Sequence, residues 1–121
     1  MSAPACPACA GVWPDPAHRI AGLALTVAYL YEDQFLPGST LLVLRRHATE
    51  LWELTREERA ELLEEVTTVA RALDEAYGAA KMNCALLGNQ IPHVHWHIVP
   101  RRLGGTELEA ALAGLRLRLP H

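Results

Sequence analysis

The segment His93-Val-His-Trp-His-Ile-Val-Pro100 sets three imidazoles at alternate positions. Successive side chains of a β-strand point to opposite faces, so His93, His95 and His97 would share one face, roughly 6.6 Å apart in succession. Val94, Trp96 and Ile98 would face a core. A lone histidine is most simply a polar residue with a satisfied hydrogen bond. Three in register each lose hydration and each need a partner, which points to function. Two chemistries fit. All three rings could bind one catalytic metal, or one ring could act as a nucleophile, since neutral imidazole attacks phosphorus well near pH 7 and leaves well afterwards. The flanking residues favour the second. Asn83, Gly88, Asn89 and Gln90 supply neutral amide and backbone donors suited to a phosphate oxyanion. No Asp or Glu occurs between residues 76 and 106, where the surroundings of a catalytic metal would carry carboxylates.

A second group of chemically capable residues lies far from the first in sequence. Cys6 and Cys9 form a CxxC pair between Pro4 and Pro7, and Cys84 stands alone. An odd cysteine count argues against a disulfide scaffold, and no strand precedes the pair as a thioredoxin-type motif requires. Metal binding is the better reading, but CxxC supplies only half of a tetrahedral site. The remaining donors must come from Cys84 or from the six histidines. Cys84 sits in an apolar run and reads as a buried small hydrophobe. Trp13 and Trp52 flank polar segments, where either a stacked base or ordinary burial or subunit contact would suit them.

The elements that must carry these residues are legible in outline. Residues 23–31 and 39–45 read as two strands joined by a loop that ends in Pro37-Gly38. Thr55-x-x-Glu58 is a capping box, and Leu62, Leu63, Val66, Val69, Ala70, Leu73 and Tyr77 recur at helical spacing up to a terminating Gly78. Residues 80–87 and 93–99 read as two further strands, with Pro100 ending the second. Residues 11–19 are turn-rich. Thr106-x-x-Glu109 opens a short terminal helix. Strands, helix, strands and helix in this order give an α+β class, with an antiparallel sheet partly covered by helix.

Composition narrows the function. The 121 residues suit a single domain spanning 1–121. Eleven basic against fourteen acidic residues give a net charge of -3, which argues against a nucleic-acid partner. No apolar run reaches the roughly 18 residues of a membrane span. The start, MSAPACPACAG, lacks the charged and apolar regions of a signal peptide, so a soluble cytoplasmic protein is expected.

The run Asn83-Cys-Ala-Leu-Leu-Gly-Asn-Gln-Ile-Pro-His-Val-His-Trp-His-Ile-Val-Pro-Arg101 resembles the signature of the histidine triad (HIT) superfamily, His-φ-His-φ-His-φ-φ with φ hydrophobic. The resemblance covers about residues 6–101. It implies a sheet of about five antiparallel strands with one long helix packed on it and a short C-terminal helix. It also implies a nucleotide hydrolase or transferase that works at the α-phosphorus through a covalent nucleotidyl-histidine. The substrates would be dinucleoside polyphosphates or nucleoside phosphoramidates, most simply of a purine nucleotide. By the same resemblance, His95 is the nucleophile and His97 contacts the phosphate. Asn83 and Gln90 hold phosphate or leaving-group oxygens, and an acid at the end of the first long strand, Asp33 in preference to Glu32, binds the ribose. Gln90 departs from the Ser or Thr of many members.

Some HIT proteins and the related galactose phosphate uridylyltransferases are similar in carrying an N-terminal CxxC zinc site. The matching donors here are Cys6, Cys9, His47 and His93, a closed set that implies a structural Zn2+ with no metal required for the chemistry. The resemblance further implies a homodimer. The rival readings are a hydrolase using a metal held by the three triad histidines, and a nucleotide-binding regulatory protein with little turnover.

Overall fold

The computed structural model describes residues 5–102. Its five strands are β1 (Arg19–Gly22), β2 (Thr26–Leu30), β3 (Thr40–Leu44), β4 (Lys81–Leu86) and β5 (His95–Arg101), with the helix α1 (Arg56–Tyr77) between β3 and β4. They form one sheet in the order β1-β2-β3-β5-β4, and every neighbouring pair is antiparallel. This is the expected α+β class with one long helix. The expected short helix after Thr106 lies outside the described residues.

The sheet has a covered and an open face. On the covered face Ala28, Leu42 and Ile98 pack with Val66, while Leu44 and Val94 pack with Leu54, Leu62 and Ala48. Trp96 touches both clusters and joins them. The alternation expected for Val94, Trp96 and Ile98 is therefore present. Helix α1 starts where its capping box places it, since the Thr55 hydroxyl accepts from the Glu58 N–H and Glu58 reaches back to the Thr55 N–H. It stops at Gly78, whose φ of 61° closes a left-handed cap.

Three details differ from the sequence reading. Strand β1 falls in a stretch where no strand was expected, because all four of its residues are exposed and carry no alternation. Leu63 was grouped with the core but is 60% exposed, since it stands about 100° around the helix from Leu62. In its place the buried face takes Glu65, whose carboxylate accepts from the Leu25 N–H at 3.1 Å and from the Thr26 hydroxyl at 2.6 Å. Strand β5 also continues through Pro100, which pairs with Met82 beyond the last residue that β3 flanks. A missing N–H is tolerated where one side of a strand is free.

Candidate active site and adjoining four-donor cluster

Register places His95 opposite Val43 and His97 opposite Leu41 on the open face. Their rings stand 5.3 Å apart, the Tyr31 ring meets His97 at 5.5 Å, and Trp13 meets His95 edge-on at 4.8 Å. His93 does not join this row as the alternation suggested. The strand begins only at His95, because the preceding residues bend to other partners. Val94 N–H donates to the Ala48 carbonyl, and His93 N–H donates to that of Ile91.

The tautomers follow from carbonyl partners, which can only accept. His95 Nδ1 lies 2.7 Å from the His93 carbonyl oxygen, so Nδ1 carries the proton. In the neutral ring this leaves a lone pair on Nε2. His93 is reversed. Its Nε2 donates to the Leu44 carbonyl at 2.7 Å, which leaves the lone pair on Nδ1. Burial, and after it the neighbouring His95 ring, push the His97 pKa down, which favours the neutral form of His97. Burial likewise lowers the pKa of His93.

The Nδ1 lone pair of His93 points into a cluster. It lies 3.3 Å from Cys6 Sγ, 3.6 Å from Cys9 Sγ and 3.3 Å from His47 Nδ1, while His47 Nδ1 lies 3.3 Å from Cys9 Sγ. The four donor atoms lie within 4.8 Å of one another. His47 reaches them from the loop after β3. That loop is held by Arg46, whose guanidinium grips both oxygens of Glu58 at 2.8 and 3.0 Å and holds that carboxyl down at about 2. The four residues singled out for a metal are thus brought together and could hold one. Cys84 is not among them. It is exposed on the edge strand β4 instead of buried.

A hollow of about 450 Å³ opens beside His95 and His97, and Trp13, Tyr31, Glu32, Asn89 and Gln90 line it with them. That volume suits a nucleotide-sized ligand. Of the residues singled out for substrate, Gln90 lines the hollow, and Asn83 and Asp33 do not. Asn83 pairs with Val99, one step past the Ala85–His97 pair, and lies outside the hollow's lining. Asp33 spends its carboxylate on the Phe35 N–H at 2.9 Å, a turn-forming bond, and its neighbour Glu32 faces the hollow. The sequence leaves Trp13 open to a stacked base, burial or a subunit contact, and does not connect it with His95. No pattern in sequence signals that an N-terminal residue folds onto a strand more than eighty positions away.

Comparison with known proteins supports the same grouping. Residues 15–104 match the family model for the HIT domain. The chain belongs to the HIT family. Among solved members, a histidine triad protein from Bradyrhizobium japonicum is 30% identical, with a TM-score of 0.67 over 86% of this chain and 92% of that one. A HIT family member from Bacillus subtilis, 22% identical, shares the fold with a TM-score of 0.71 over 97% and 99% of the two chains. Two curated relatives come from Schizosaccharomyces pombe. An adenosine 5'-monophosphoramidase is 31% identical over 71% of this chain and 65% of its own length. An asymmetrical bis(5'-nucleosyl)-tetraphosphatase is 30% identical over 64% and 46%. The chain therefore spans less than two thirds of either relative. Among the described residues no helix is long and apolar enough to cross a membrane.

Proposed function

We propose that the chain is a nucleotide hydrolase or transferase that cleaves at the α-phosphorus through a nucleotidyl-His95 intermediate. The carrying observation is the bond from His95 Nδ1 to the His93 carbonyl, which leaves the Nε2 lone pair free on a ring that lines the hollow. In this reading Nε2 attacks the α-phosphorus, the N–P bond forms, and the bond from phosphorus to the leaving oxygen or nitrogen breaks with its electron pair going to the leaving group. Positive charge gathers on the His95 ring, and the His93 carbonyl stabilises it through the Nδ1 proton. Water or another acceptor then displaces the imidazole and releases a nucleoside monophosphate. Neutral His97, 5.3 Å from His95 ring to ring, donates to a phosphate oxygen, and Asn89 and Gln90 supply amide donors. Glu32 takes the ribose-binding role first assigned to Asp33. The named activities of the two yeast relatives, on a dinucleoside tetraphosphate and on an adenosine phosphoramidate, support this substrate class and a purine base.

The four-donor cluster fits a structural zinc. Tetrahedral Zn2+ with bonds near 2.3 Å to sulfur and 2.0–2.1 Å to nitrogen sets nitrogen pairs roughly 3.3 Å apart and mixed pairs roughly 3.6 Å apart. The separations of 3.3 to 3.6 Å around His93 agree. Two thiolates and two imidazoles close the site, so its role is to fasten residues 6–9 to the sheet. The alternative of one metal held by all three triad histidines is disfavoured, because the His93 lone pair points to the cysteines and His95 Nδ1 is engaged by backbone. We extend the proposal to a homodimer, as expected of HIT relatives.

The test is turnover of diadenosine tetraphosphate and adenosine phosphoramidate by the protein and by His95→Ala. The variant is expected to bind nucleotide and release no monophosphate. Undiminished release by the variant would exclude the mechanism.

A further inference from the structure

His95 is 4% exposed although it stands on the face that α1 leaves open. Its cover comes from the N-terminal segment. Residues 6–13 fold as consecutive turns, in which the Ala10 N–H donates to the Cys6 carbonyl and the N–H groups of Val12 and Trp13 both donate to the Pro7 carbonyl. This lays Trp13, half-buried, against the His95 ring at 4.8 Å with planes at 72°, while Pro14 beside it is buried. The Nδ1 bond fixes the tautomer of His95 but is a single tether, about which a ring can still pivot. Trp13 and His97 together make the edge-to-face contacts that limit that pivot.

From this geometry we infer that Trp13 is a positioning residue for the nucleophile, and that the Cys6–Cys9 turn carries it there. The inference rests on the nucleotidyl-His95 reading. The same turn supplies two donors to the metal cluster and, through Pro7, the two hydrogen bonds that aim the indole. Closing the cluster and readying His95 are then one structural event. A second link runs the same way, since the cluster ligand His93 offers its own carbonyl to His95 Nδ1.

Two measurements test this. In single-turnover adduct formation at saturating diadenosine tetraphosphate, Trp13→Ala is expected to slow the step by about tenfold to a hundredfold, because a nucleophile misplaced by an ångström costs up to two orders of magnitude. KM should change much less than kcat, and Trp13→Phe, which keeps a ring edge on His95, should restore the rate to within a few-fold. A Trp13→Ala variant with the wild-type saturating rate overturns the positioning role. The second measurement is the emission of Trp13, taken as the difference between the protein and Trp13→Phe, before and after zinc is stripped under reducing conditions. Emission is expected to move to longer wavelength as the indole leaves the sheet and to return on adding Zn2+. Unchanged emission with the metal gone overturns the link through the turn. If the wild-type protein forms no adduct at all, the functional proposal fails, while the emission measurement still decides whether the cluster places Trp13.

Discussion

Replacing Glu65 by Gln and by Ala separates the charge of a buried carboxylate from its shape. Glu65 accepts from the Leu25 N–H with both oxygens, at 3.1 and 3.2 Å, and from the Thr26 hydroxyl at 2.6 Å. Thr26 is 0% exposed, so water cannot replace the lost acceptor at its hydroxyl. Hydrogen bonds to a charged acceptor are worth about 1.5–3 kcal/mol each, and an orphaned buried donor costs about 1–3 kcal/mol. Gln keeps one acceptor oxygen and should cost about 2 kcal/mol. Ala orphans both donors and should cost about 4 kcal/mol. At roughly 4 °C per kcal/mol for a domain of this size, the melting temperature should fall by about 8 and about 16 °C. Burial pushes the Glu65 carboxyl up, but the bonds from Thr26, Glu61 and the Leu25 and Thr26 backbone outweigh it and hold the carboxyl below its ordinary value of 4.5. A carboxylate with a lowered folded pKa stabilises above its unfolded value and loses that contribution as pH falls through the folded one. The gap between wild type and Glu65→Gln should therefore be steady near neutrality and close in acid. Glu61, pushed up by its hydrogen bond to Glu65, softens that loss by becoming a proton donor. Urea melts of both variants across pH, with the exposed Glu64→Ala as control, give the answer. A Glu65→Ala cost below about 1 kcal/mol would mean that desolvation cancels the network, and would refute the reasoning.

Glu32→Ala should raise KM for a dinucleotide by about tenfold, the worth of about one good hydrogen-bonding contact, whereas Asp33→Ala should leave KM unchanged; steady-state kinetics of the pair decides which acid faces the ribose. Gly38→Ala should destabilise by about 1–3 kcal/mol, read by thermal melting, since Gly38 has φ of +88° and an added Cβ would stand 2.7 Å from the Tyr77 ring. Reduced protein should carry about one zinc per chain by elemental analysis, as a single four-donor set binds one ion, and His47→Ala should lower that occupancy.

What could be read from sequence was whatever burial writes into pattern. The capping box at Thr55 and the terminator at Gly78 fixed both ends of α1, and the alternation of Trp96 and Ile98 fixed the inward face of β5. Strand β1 left no trace because none of its residues is buried. Glu65 was hidden because a carboxylate on an apolar flank looks like solvated charge until Thr26 is brought to it from 39 positions away. The triad divided, two rings facing the hollow and one the cysteines, because period-two reasoning assumed a strand that begins two residues later. The gathering of Cys6, Cys9, His47 and His93 was anticipated through likeness to relatives. Spacing alone supplied the first two donors and left the others open.

The most direct test of the account is the site of covalent attachment. The protein is mixed briefly with diadenosine tetraphosphate, quenched under conditions that spare phosphoramidate bonds, digested and mapped by mass spectrometry. The account predicts one adenylyl group on the peptide holding residues 93–101, carried by the ring of His95 and missing from His95→Ala. An adduct on His97, or full turnover by a protein that never becomes adenylylated, would contradict it.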